Sequence, residues 1–288
     1  MQPASPQGEL QAMAAPIASA TLDFRSFALA SALLFAVWFG GITVGVIAES
    51  LLGTGRFFET VLKSALCVWV YMTVAQPRMN NPSQDLGLIH CASESRYLVF
   101  SIGVLALTIL AIMLHSNQLS HWAWVDLKWN FSWHDIALLS NRALFMPIAE
   151  ELFFRGLLLR CLLHYCSSFV PVSVLILAQS ILFVAAHAMS NELGLNLRTA
   201  QIFFMGIGFG ILVWATGSLL LAILVHIAWN TLPTLILGLL PAAPEANTLF
   251  DGQSQAVVSA SFAVAAVAWV LGLILMTRNK HRVLPSAA

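Results

Sequence analysis

Hydrophobic residues in this chain gather into long unbroken runs; they neither alternate with polar ones nor recur on a single helical face. A helix that crosses a bilayer needs about 20 consecutive apolar residues. Runs of about that length cover 26–48, 57–76, 97–115, 136–160, 169–189, 200–215, 218–240 and 256–276, and each predicts a helix. In the second run Glu59 and Lys63 stand four apart in the first turns, where they can pair and reach toward the headgroups, so a partly interfacial placement is an alternative for it. Turn residues fill 77–95, four tryptophans suited to a membrane interface fall in 116–135, and 241–255 is polar. The pattern predicts an all-α polytopic membrane helix bundle of about eight transmembrane helices.

Composition agrees with that pattern and excludes the soluble alternative. Hydrophobic residues make up 59% of the 288 and charged residues 9%, against roughly 45–50% and about 25% in a soluble domain. Thirteen basic and thirteen acidic side chains cancel, which leaves no excess charge to attract nucleic acid. Residues 1–24, rich in Ala, Pro, Ser and Gln and without a basic n-region, are expected to be a disordered lead-in, not a cleaved signal. Residues 25–277 form one expected bundle, its chemistry concentrated at 136–240, and 278–288 an expected basic cytoplasmic tail. With eight spans both termini share a side. That side collects eight basic residues, Arg155 and Arg160 among them, against five on the other. The positive-inside rule then puts the termini in the cytoplasm, as in an integral protein of a bacterial inner membrane. Cys67, Cys91, Cys161 and Cys166 show no paired CxxC pattern, so neither disulfides nor a thiolate zinc site is expected.

Most charges sit near the ends of spans, but Glu150 and Glu151 lie inside the fourth. An ionisable group at that depth costs a few kcal/mol, about 3 on insertion scales, and defaults to a functional hypothesis. Glu151 and Arg155 are four apart with the acid first, the favourable order for an ion pair, while Glu150 points about 100° away. Arg155 therefore pairs with Glu151 and leaves Glu150 as a carboxylate able to act as a general base. A purely structural alternative has both acids paired with Arg155 and Arg160 to hold the bundle. Pro147, three residues before Glu150, removes the backbone hydrogen bond to Ala143 and should kink the helix, opening a pocket beside the acid.

Two further spans carry polar groups at helical spacing. Phe183 and His187 are four apart, as are His226 and Asn230, which puts each pair on one helix face. Taken singly, an intramembrane His or Asn serves as interhelical glue. Together with Glu150 they supply a base, a proton-handling imidazole and oxyanion donors, the equipment for adding water to an amide. The glycines at 206, 208 and 210 lie in an apolar helix and predict close helix packing, not phosphate binding. His90, His115, His121, His134, His164 and His281 fall in loops or at helix ends and read as solvated or interfacial.

The ordered set Glu-Glu-x-x-x-Arg at Glu150–Arg155, Phe-x-x-x-His at Phe183–His187 and His-x-x-x-Asn at His226–Asn230 resembles the CPBP family of intramembrane proteases. That family includes the type II CAAX prenyl endopeptidases and bacterial proteins linked to bacteriocin processing or immunity. The likeness covers about 136–231. It implies that Glu150 activates the attacking water, that His187 helps to hold it, and that His226 and Asn230 stabilise the tetrahedral oxyanion. Glu151 and Arg155 would support the site and Phe183 would pack it. The resemblance leaves metal dependence open. The chain lacks a His-Glu-x-x-His helix, which favours a glutamate mechanism with no cofactor; a metal such as zinc would take Glu150, His187 and His226 as ligands.

The sequence thus predicts an intramembrane endopeptidase acting on a membrane-associated or lipidated protein or peptide, with the bilayer and that substrate as its partners. A non-catalytic immunity-type or partner-binding protein is the alternative. A proton-coupled transporter using Glu150 is a third reading, weakened by the lack of an internal repeat. In a plain alternating topology His187 falls near the non-cytoplasmic end of its span, while Glu150 and His226 lie nearer the middle or the cytoplasmic half. Their convergence demands a helix that starts late, tilts or breaks.

Overall fold

The computed structural model describes residues 95–115, 140–191, 197–236 and 252–282, with the single positions 29, 32, 65 and 69. Among the described residues every element is helical and none is a strand. Helix α1 is Ser95–His115. A run of helical turns over 141–166 passes from a π segment (Asn141–Phe145) to α2 (Met146–Glu151), through a second π segment (Leu152–Leu159) and out by α3 (Arg160–Cys166). Then follow α4 (Val172–Asn191), α5 (Leu197–Thr216), α6 (Leu219–Ile236) and α7 (Gly252–Arg282). Among the described residues, three stretches are long and apolar enough to cross a membrane: Ser95–Leu114, Leu197–Thr216 and Val258–Arg278. Val172–His187 and Leu219–Pro233 are shorter apolar stretches. In lipid the backbone must satisfy its own hydrogen bonds, and continuous helix is how these segments do so. The spans expected at 26–48 and 57–76, and the tryptophan-rich 116–135, lie outside the described residues.

Local chemistry moves several expected boundaries. The apolar run expected to begin a helix at 169 does so only at α4, because Ser167 to Val170 form a turn closed on the Cys166 carbonyl. Pro171 then opens the helix, its carbonyl accepting from the N–H groups of Val174 and Leu175 at 2.9 and 3.2 Å. The seventh helix runs through Arg282, so the start of the expected tail is helical. Between α5 and α6, Gly217 adopts a left-handed φ of 72°, which a Cβ would oppose. Its N–H donates to the Val213 carbonyl at 2.8 Å, and Ser218 Oγ caps α6 by accepting from the Leu221 N–H at 3.1 Å. Arg160 Nη2 donates to the Gly217 carbonyl at 3.2 Å, clamping this tight turn to α3.

The fourth expected span, 136–160, is not one regular α-helix. Pro147 lies in the first turn of α2, and the π segment Asn141–Phe145 runs directly into it; a proline there removes a backbone donor from a continuous helix. A π turn closes i→i+5, so it brings residues five apart onto one face. Arg155 and Arg160, divergent on an α-helix, are both buried, at 0% and 3% exposure. Two of the eight basic residues counted on the cytoplasmic side are therefore inside the bundle; taking those two away leaves six against five, a much smaller asymmetry.

Helix α5 is the centre, packed on α4 and α7, while α7 also packs on α1 and α6 contacts both α1 and α2. The glycine run lets these backbones approach. Gly206 and Gly210 share a face: a Cβ at Gly206 would come to 3.1 Å from Ser180 Cβ, and one at Gly210 to 2.9 Å from Ile176 Cγ2, both on α4. Gly208, on the opposite face, leaves room for the indole of Trp269 on α7, which a Cβ would meet at 2.2 Å. The packing role expected for these glycines is what the structure has. At Gly272 a Cβ would meet Phe100 of α1 at 2.1 Å, yet Phe100 is half-buried and can swing away, whereas Trp269 is fully buried. We expect Gly208→Ala to lower stability by about 1–3 kcal/mol and Gly272→Ala by clearly less. Thermal unfolding of the purified variants in detergent checks the ranking; equal losses would refute it.

Candidate active site

The polar residues of three helices meet at one buried point beside α5. Glu150 and Glu151 are adjacent at the end of α2, and Arg155 follows in the π segment; Phe183 and His187 sit on α4, His226 and Asn230 on α6. Arg155 Nη1 donates to Glu151 Oε1 at 2.9 Å with both side chains fully buried, the pairing expected from i, i+4 geometry. Arg155 Nη2 donates to the Gly206 carbonyl of α5 at 3.3 Å. The guanidinium carbon lies 4.4 Å from the ring centroid of Phe183, 5.1 Å from Phe209 and 5.8 Å from Phe154, so aromatic faces shield the cation.

Each histidine is fixed through Nδ1. His187 Nδ1 lies 2.9 Å from the Phe183 carbonyl, which can only accept, so this nitrogen carries the proton. His226 Nδ1 lies 2.8 Å from Glu151 Oε1, an oxygen already held by Arg155, and the same assignment follows. In both rings Nε2 then faces Glu150: His187 Nε2 is 3.6 Å from Oε1 and His226 Nε2 is 3.7 Å from Oε2. These separations are too long for direct hydrogen bonds, and a small molecule seated off either line would touch both groups. Glu150 and His226 are buried, while the His187 side chain is 21% exposed. The cluster therefore opens toward α4.

All three acid and imidazole groups expected to converge do so. Helix α4 begins at Val172, three residues later than expected, and the 141–166 run carries π turns; in this packing Glu150, His187 and His226 stand together. Asn230 lies one turn beyond His226 on α6 and is half-buried. Phe183 packs edge-on against Phe154 at 5.0 Å and tilted against His187 at 4.5 Å, in the packing role the resemblance implied.

Sequence reasoning missed the contribution of α5. Phe209 stacks on His226 with centroids 4.6 Å apart and planes 23° from parallel, and the Gly206 carbonyl receives Arg155. Nothing in an apolar run sets one phenylalanine apart, though the glycines flanking Phe209 marked a surface of close contact. Glu150, His187 and His226 are the ligand set a metal would need. Among the described residues no group of three His, Cys, Asp or Glu side chains is arranged to hold a metal ion.

Apolar helices long enough to cross a bilayer point to an integral membrane protein, and within its bundle one carboxylate faces two imidazoles. Residues 131–232, about a third of the chain, match the family model of type II CAAX prenyl endopeptidase Rce1-like proteins. This agrees with the resemblance carried by the three motifs and nearly with its limits. No curated protein and no solved structure matches the chain.

The buried pair and the free face of Glu150 separate support from chemistry. Removing one partner of a buried ion pair strands the other, at a cost on the order of 3–5 kcal/mol. Arg155→Ala should lose stability of that order and Glu150→Gln very little, read as denaturant midpoints for the two variants side by side. A stable Arg155→Ala protein would overturn this division.

Proposed function

We propose that this protein is an intramembrane endopeptidase that hydrolyses a peptide bond of a membrane-associated or lipidated protein or peptide with a water activated by Glu150. The observation that carries the reading is the pairing of the two Glu150 oxygens with two different imidazole Nε2 atoms, at 3.6 and 3.7 Å, in an otherwise apolar interior. A water between Glu150 and His187 donates one hydrogen to Nε2 and the other to the carboxylate. As its oxygen attacks the scissile carbonyl carbon, Glu150 takes the proton, the C–O bond forms and the carbonyl electrons move onto oxygen. Asn230 donates to the oxyanion through its side-chain amide, and His226, tied to Glu151 through Nδ1–H, lines the same pocket. Collapse of the intermediate breaks the C–N bond, and Glu150 returns its proton to the leaving amine. Burial excludes bulk water, so these few dipoles act in a low dielectric where each is worth more.

His187 is the partly exposed member of the site, at 21%, which suits a substrate tail arriving from the bilayer. The reading needs no nucleic acid and no cofactor, and it carries with it cytoplasmic termini.

The test is purified full-length protein in lipid nanodiscs with a panel of membrane-anchored peptides, prenylated and not. Glu150→Gln, His187→Ala and Asn230→Ala should each lower cleavage by roughly 10²-fold or more, with expression and thermal stability unchanged. Full activity in Glu150→Gln sinks the mechanism. A chelator should leave the wild-type rate unaltered; loss of activity restored by zinc would transfer the water to a metal held by Glu150, His187 and His226.

A further inference from the structure

One hydrogen bond leaves a ring free to rock about it. His226 is held through Nδ1 on Glu151, and the face of its ring lies on Phe209 at 4.6 Å between centroids, with Phe183 edge-on farther off at 6.4 Å. Phe209 is itself backed by Trp269 of α7, whose ring meets it edge-on with centroids 5.2 Å apart and planes at 71°. Trp269 is fully buried in the slot that Gly208 leaves open. Its indole Nε1–H donates to Ser101 Oγ of α1 at 2.8 Å, and the Ser101 hydroxyl donates onward to the Tyr97 carbonyl at 2.7 Å. The other side of the indole lies against Trp229, centroids 5.4 Å apart, and Trp229 stands on α6 between His226 and Asn230. Every link from Ser101 to the imidazole is thus a buried contact with a defined direction.

We propose that Trp269, anchored by Ser101, is a positioning residue that sets the plane of His226 through Phe209, so that α1 and α7, outside the family-matched segment 131–232, complete the catalytic site. The inference rests on the endopeptidase reading of that site, but one arm of its test does not. Ser101→Ala removes a single oxygen and Trp269→Phe keeps a ring against Phe209 while losing the N–H. Each should lower kcat roughly two- to tenfold, the effect of one hydrogen bond, with KM unchanged. The double variant should be no slower than either single one, because both cut the same link. Trp269→Leu, which also removes the ring, should be slower than all three.

The second arm is the ring-nitrogen NMR spectrum of selectively labelled histidines. In Ser101→Ala and Trp269→Phe the His226 signals should shift from the Nδ1–H tautomer toward a mixture, while those of His187, held by the Phe183 carbonyl, stay as in wild type. Wild-type kcat and an unmoved His226 spectrum in both variants overturn the proposal. So does an equal disturbance of both histidines, which would mean general loosening. If wild type cleaves no peptide, the function fails, and the His226 spectrum still decides whether the buttress exists.

Discussion

The fully buried contact between Glu151 and Arg155 is the constraint on which the arrangement turns. An ion pair inside an apolar bundle draws on its neighbours for hydrogen bonds, because lipid supplies none. Here neighbouring elements meet part of that need: Oε1 of Glu151 also receives His226 of α6, Arg155 reaches the Gly206 carbonyl of α5, and the cation lies over rings from α4 and α5, while Glu151 Oε2 and Arg155 Nε have no hydrogen-bond partner among the described residues. Tying the pair therefore ties four elements together. It also leaves Glu150, the adjacent residue on a different face of α2, directed at the two imidazoles.

The pair alone does not make a site. Close approach of α4, α5 and α7 depends on Gly206, Gly208 and Gly210, which remove side chains where backbone and rings must meet. The π turns of the 141–166 helix matter in the same way. They widen the helix where it faces α4 and α6 and direct Arg155 and Arg160 inward together, Arg155 to the site and Arg160 to the turn at Gly217. Such departures from regular helix are frequent at functional sites, and this one lies between Glu150, which faces the two imidazoles, and Arg160, which holds the turn at Gly217.

Much of this was legible beforehand because membranes make polar residues rare. Long apolar runs place helices with little ambiguity, and in that background Glu150, Glu151, Arg155, His187, His226 and Asn230 stand out. The four-residue spacing of Glu151 and Arg155 gave their pairing directly. Less legible were the ends of the helices: a run of apolar letters does not reveal that Ser167 to Pro171 close a turn before α4 begins. The charge count placed Arg155 and Arg160 on the cytoplasmic side by their position near the end of a span, and a count along the chain does not show that both are buried in the bundle.

The sequence by itself determined the apolar helical character, the family likeness of about 136–231 and which polar residues stand inside the apolar runs, since each depends on residue type and on spacing within one helix. Which imidazole nitrogen faces which carboxylate oxygen, the stacking of Phe209 on His226 and the reach of Trp269 and Ser101 to the same ring were decided only in the tertiary structure. Those are contacts between helices far apart in the chain, and an apolar residue that lines a site looks, in one dimension, like any other that faces lipid.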